Sequence, residues 1–187
     1  MPGVVLFFLT AVLTIGGQYG RPIENPVVLI KTEMGDLTVE IFVGKAPKTA
    51  ANFMNYVDAG LYDGTVFHRT VRLDNQEPEE VKIEVIQGGE VAADKSLPPI
   101  LLERTIATGV YHVDGTISMA RGGPNTATSS FFICLGDQPE LDFGGKRNKD
   151  GEGFAAFGRV TAGMDVVRKI HAAPREGQTL KPPVKIL

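Results

Sequence analysis

From Val27 onward, apolar residues run for only a few positions before glycine, proline or a polar pair interrupts them. That punctuation sets the architecture. Val27-Val28-Leu29-Ile30-Lys31-Thr32 is rich in β-branched residues and reads as a strand. Asp36 to Phe42 alternates, with Leu37, Val39 and Ile41 on one face. Gly35-Asp36 between the two runs predicts a hairpin. Further strands are expected at Val66–Arg69, Lys82–Gln87, before Met119, at Phe131–Leu135, Phe154–Val160 and Pro182–Leu187. Two stretches change period. Pro47 to Ala59 has Ala50, Phe53 and Val57 on one face, Pro47 in the first turn and Gly60 as a stop. Met164 to His171 has Val166, Val167 and Ile170 at helical spacing. Many short strands with two distant helices argue for a sandwich or a closed antiparallel barrel. The pattern alone does not separate them.

The chain has 187 residues, enough for one domain with a substantial core. Its net charge of -3 gives no basic footprint, so no nucleic-acid partner is expected. One cysteine, Cys134, excludes an internal disulfide. Residues 1–20 differ from the rest. Val4 to Ile15 is unbroken apolar sequence, and no charge occurs before Arg21. Roughly 20 residues are needed to span a bilayer, so no stable membrane span is expected. The length suits the apolar core of a secretory signal, although a basic start and a clear cleavage site are absent. With a signal the protein would be periplasmic or secreted; without one, cytoplasmic. Residues 21–26 read as a linker, and 27–187 as the folded domain.

The candidate chemistry lies in three stretches. They are Phe67-His68-Arg69, then Ile86-Gln87-Gly88-Gly89, then Ser118 to Thr126 running on to Ser129-Ser130-Phe131-Phe132-Ile133. They offer a guanidinium, a primary amide, a glycine-rich turn and two adjacent aromatics. There is no carboxylate pair and no nucleophile beside a base. Gly122-Gly123-Pro124-Asn125-Thr126 lacks the phosphate-loop pattern. His68, His112 and His171 lack zinc-ligand spacing, so no metal or other cofactor is expected. Such a set suits polarising a neutral amide better than breaking a bond.

In order and spacing these motifs resemble the cyclophilin family of peptidyl-prolyl cis-trans isomerases, over roughly Val27 to Lys185. The resemblance implies a mainly β fold: a closed eight-stranded antiparallel barrel capped by two α-helices. It implies catalysis of rotation about X–Pro bonds to assist protein folding. Such a chain would be a monomer acting on proline-containing unfolded or extended polypeptides. The alternative is a proline-peptide binding module with slow or no turnover. Arg69 would donate to the proline nitrogen, and Gln87 would orient the substrate and support Arg69. Backbone groups of Ala120, Arg121 and Gly122 would bind the extended chain. Phe132 would floor the proline pocket, with Leu141 and Phe157 as walls and His68, Val85 and Phe154 as further contacts. Phe131 and Phe132 are adjacent, so one lines the groove and the other enters the core.

The departures are specific. Glu84-Val85 stands where the family commonly has Phe-Met, which puts Glu84 in place of a pocket aromatic. Glu140 stands where cyclosporin-sensitive members have tryptophan, so weak cyclosporin binding is expected. Phe154 stands where many members have histidine. Arg121 often corresponds to asparagine and would add positive charge at the groove. The longer loop between Arg69 and Gln87 is expected to fold over the groove.

Overall fold

A computed structural model describes residues 24–78 and 81–187. The apolar segment 1–20 and the first half of the linker lie outside the described residues. Asn25 and Pro26 lead into β1 without regular structure.

Among the described residues nine strands form one antiparallel sheet: β1 (Val27–Thr32), β2 (Gly35–Ile41), β3 (Val66–Val71), β4 (Val85–Gly88), β5 (Thr116–Met119), β6 (Phe131–Cys134), β7 (Ala155–Ala162), β8 (Arg175–Glu176) and β9 (Thr179–Lys185). Their order is β1-β2-β7-β5-β6-β4-β3-β9-β8. The expected eight strands become nine because Arg175–Glu176 folds back on β9, a two-residue ladder too short to leave a sequence pattern. The sheet curls, and its ends meet through a single bridge, Thr32 to Ile186, rather than a full ladder. Glu33 N and Leu187 N donate across the same seam to Lys185 O and Lys31 O, at 3.2 and 2.9 Å.

The predicted hairpin is β1–β2, paired from Val27–Glu40 to Thr32–Gly35. The first predicted helix is α1 (Pro47–Asp58). It buries Ala50, Phe53 and Tyr56 against the sheet. Its first turn is capped from elsewhere: Thr49 N and Oγ1 donate to the Glu103 carboxylate at 2.8 and 2.7 Å. A carboxylate there satisfies orphan N–H groups and meets the positive end of the helix dipole. A single helical turn, α2 (Thr105–Thr108), was not anticipated. The second predicted helix, α3 (Met164–Ala172), buries Val166, Val167 and Ile170.

The sheet is buried on both faces. Inside, Phe53, Phe67, Phe131 and Phe157 interlock, with Phe131 edge-on to Phe53 and Phe67 at 5.6 and 5.8 Å. Outside, Val71, Ile83, Val85, Phe132, Cys134 and Leu141 form a second, smaller cluster. Alternation explains the division: Val85 faces out and Ile86 in, Phe132 out and Phe131 in. Cys134 is sealed in that outer cluster, and burial holds its thiol well above the usual range.

Candidate active site

Four neighbouring strands each contribute one residue to a row across the outer face. Arg69 on β3 pairs with Gln87 on β4, Gln87 with Phe132 on β6, and Phe132 with Ser118 on β5. Strand pairing therefore fixes these side chains side by side. The turn after Gln87 needs its glycines. Gly89 has φ +70°, and a Cβ on it would lie 2.3 Å from the Phe131 ring.

The guanidinium is oriented by side-chain amides. Arg69 Nη1 donates to Gln87 Oε1 at 2.9 Å, and Nε donates to Gln178 Oε1 at 2.9 Å. Nη2 also donates to Gln178 Oε1. Each glutamine is fixed in turn. Gln87 Nε2 donates to Ser130 Oγ at 3.1 Å, and Gln178 Nε2 to Asn75 O at 3.0 Å.

Beside this pair lies a cavity of about 210 Å³ floored by Phe132. Phe154 stands edge-on to that ring, centroids 5.2 Å apart. Val85, Ile83 and Leu141 supply apolar walls. Under the floor, His112 stacks on Phe132 at 5.8 Å. His112 Nδ1 lies 2.7 Å from Asp142 Oδ1, and Nε2 lies 2.9 Å from Ser118 Oγ. Hydroxyl, imidazole and carboxylate thus stand in the order of a hydrolase triad. Ser118 and His112 are 0% and 1% exposed, so no substrate reaches the hydroxyl. The trio is a framework that fixes the floor.

Arg121 separates this cavity from an adjoining cleft of about 230 Å³, which Gln87, Ala120, Gly122 and Glu90 also line. Its side chain is only 2% exposed. It makes a bidentate pair with Asp150 at 2.8 and 2.9 Å, donates to Gly153 O at 2.8 Å, and packs over Phe154. The Arg121 guanidinium holds the Asp150 carboxyl down to about 2. Arg121 therefore ties the β6–β7 connection to the site, and the expected free positive charge is neutralised. From the same connection, Arg147 Nη1 donates to Gln76 Oε1 and Val81 O at 3.0 and 2.8 Å. Gln76 in turn holds Ile83 through N–H and carbonyl. The described part of the long loop between Arg69 and Gln87 thus meets the β6–β7 connection at the rim of the cavity.

Residues 27–187 match the family model described as cyclophilin type peptidyl-prolyl cis-trans isomerase/CLD. The chain belongs to the cyclophilin family. It is 34% identical to a peptidyl-prolyl cis-trans isomerase of Acinetobacter baylyi, across 94% of this chain and 91% of that one. It is 34% identical to peptidyl-prolyl cis-trans isomerase B of Escherichia coli, across 77% and 83%. The fold matches a crystal structure of a Cryptosporidium parvum cyclophilin, obtained with the dipeptide Ala-Pro, at TM-score 0.66 and 24% identity over 86% and 95% of the two chains. Isomerisation of prolyl peptide bonds is the activity of this family.

In this cyclophilin Arg69, Val85, Gln87, Ala120, Arg121, Phe132, Leu141 and Phe154 share one cavity, and Gly122 lines the adjoining cleft. Two expected contacts lie elsewhere. Phe157 is 0% exposed, inside the barrel against Phe53 at 5.1 Å. Alternation from Phe154 puts it on the opposite face. His68 is not on the cavity wall; its Nε2 is 3.9 Å from Glu90, and burial lowers its pKa. Glu84 does not replace a pocket residue, because it faces His171 of α3 at 3.9 Å. The Glu140 carboxylate turns away to accept Lys146 N at 2.8 Å. Ile83, Arg147, Asn148 and Gln178 were not expected at the site. Ile83 was legible, since Ile83-x-Val85-x-Gln87 alternates onto one face. The other three sit in loops, where sequence period carries no signal.

Proposed function

We propose that Arg69 and Gln87 perform the isomerisation, on X–Pro bonds of extended or unfolded polypeptides whose proline ring enters the Phe132 cavity. Amide resonance opposes rotation by about 18–20 kcal/mol, while cis and trans X–Pro differ little. Twisting breaks conjugation and leaves a lone pair on the proline nitrogen. A guanidinium donating to that lone pair binds the twisted state better than the planar one, which is what accelerates rotation. Arginine suits the task because it stays charged and presents a rigid fork. Gln87 keeps that fork aimed. An aromatic floor with aliphatic walls suits a pyrrolidine ring.

The observation that carries this reading is the oriented guanidinium beside an aromatic-floored cavity. A protease-coupled assay on a short Xaa-Pro peptide tests it. Loss of one charged hydrogen bond is worth about 1.5–3 kcal/mol, so Arg69→Ala should lower kcat/KM about ten- to hundredfold with the fold intact. Near wild-type turnover in a folded variant sinks the assignment. Peptide binding without turnover by the wild type makes the chain a holding module.

Weak cyclosporin binding is part of the proposal. The sequence contains no tryptophan, so no indole N–H can donate to the macrocycle. Inhibition is expected at least tenfold weaker than for a tryptophan-containing relative, about 1.4 kcal/mol. Tight inhibition refutes it. We further propose that the protein is a monomer assisting folding after export, with Val4–Ile15 as the signal. Light scattering and cell fractionation test these two points; a dimer or a purely cytoplasmic pool counts against them.

A further inference from the structure

The Phe132 cavity has two rims of different charge. On one side Gln87, Ala120 and Arg121 are shared with the adjoining cleft, whose wall includes the exposed Glu90. On the other side lie Arg147 and Asn148, in the connection between β6 and β7. Lys146 and Lys149 flank them and are exposed. Four acids of that connection have partners. Asp142 binds His112, Asp150 binds Arg121, Glu152 binds Arg104, and Glu140 accepts Lys146 N. Asn148 Nδ2 is buried and donates to nothing. Native proteins rarely leave such a donor unused, because the lost hydrogen bonds to water are not replaced.

This step rests on the proposed placement of proline over Phe132. With the imide nitrogen at Arg69 and the ring in the cavity, the residue before proline would lie on the side shared with the cleft. The residue after proline would then leave across the Arg147–Asn148 rim. We propose that this rim selects a carboxylate side chain, aspartate or glutamate, immediately after proline. A small rotation of the half-buried Asn148 side chain would bring Nδ2 to the acid and give it the hydrogen bond it lacks, strengthened because the acceptor is ionised. Lys146 and Lys149 would supply a field that salt screens. Glu90 opposes an acid on the preceding side.

The test uses the full chain and Ala-Ala-Pro-Yaa-Ala peptides, with Yaa glutamate, glutamine, alanine or lysine. Exchange rates are read by NMR without a protease, since proteases impose their own preference after proline. Glutamate should exceed lysine about ten- to hundredfold in kcat/KM, as expected for one added charge-assisted hydrogen bond. The ratio should shrink in about 0.5 M salt. Asn148→Asp should reverse the preference toward lysine. Lys146→Ala with Lys149→Ala should reduce the glutamate advantage while leaving the alanine peptide unchanged, which keeps the test valid if Asn148→Asp misfolds. Equal rates for all four peptides overturn the rim's role, as does a preference for acid only before proline. No turnover of any peptide overturns instead the underlying isomerase assignment to Arg69 and Gln87.

Discussion

Gln178 is a small residue-scale device with a large expected effect. Its single carbonyl oxygen accepts from both Nε and Nη2 of Arg69, so it fixes the plane of the guanidinium from the side opposite Gln87. An arginine side chain has many rotamers, and a donor aimed at a transient lone pair gains most when its orientation is already set. Gln178→Ala should lower kcat/KM about three- to tenfold, the worth of a typical hydrogen bond of about 0.5–1.5 kcal/mol. The loss should fall on kcat more than KM, because the ring pocket is untouched. Melting temperature should barely move. Steady-state kinetics on a proline peptide decide the matter; unchanged kcat would mean that Gln178 does not aim Arg69.

At the scale of elements, α3 closes one side of the barrel, and its last turn is sewn to β3. Thr70 Oγ1 donates to His171 O at 2.9 Å, and His171 Nε2 donates to Val71 O at 3.0 Å. Burial lowers the His171 pKa, outweighing the Val71 carbonyl and Glu84, which raise it. The sign follows from linkage. The unfolded chain takes up a proton near pH 6.5 and the folded one only at lower pH, so stability present above about 6.5 is lost as pH falls through the folded value. His68 is shifted the same way. His171→Gln should keep a donor to Val71 O and flatten part of the fall in melting temperature between about pH 7 and 5. An unchanged slope would rule out His171. The elements themselves were legible where period was strong. α1 and the β1–β2 hairpin follow the expected residues closely, because Phe53, Leu37 and their neighbours repeat over several turns or pleats. β8 and α2 were invisible because a two-residue strand and a single helical turn contain only about one repeat each. The core of the site was legible because Arg69, Gln87 and Phe132 sit in strands whose pairing aligns them. Its rim was not, because Arg147, Asn148 and Gln178 reach it from loops whose course depends on distant contacts.

The whole molecule separates stability from chemistry across one sheet. The inner face holds the main core, and the outer face carries Arg69, Gln87 and the Phe132 cavity. Closure of the barrel depends on its last residues. Ile186 is 4% exposed, bridges to Thr32 on β1, and is bonded through its backbone to Thr65 and Gly64 at 2.9 and 3.0 Å. Ile186→Ala leaves those backbone bonds possible but empties a buried position at the seam. Such truncations cost about 2–5 kcal/mol, depending on how far the site collapses. For a chain of this size each kcal/mol lowers the melting temperature by about 2–4 °C, so a fall of roughly 4–20 °C is expected. Turnover well below the transition should stay within about twofold of wild type, because no catalytic group touches the seam. Arg69→Ala should show the reverse: a preserved melting temperature and lost turnover. Calorimetry and the peptide assay on both variants make the comparison. If Ile186→Ala loses turnover while still folded, the seam and the groove are mechanically coupled, and the division between the two faces fails.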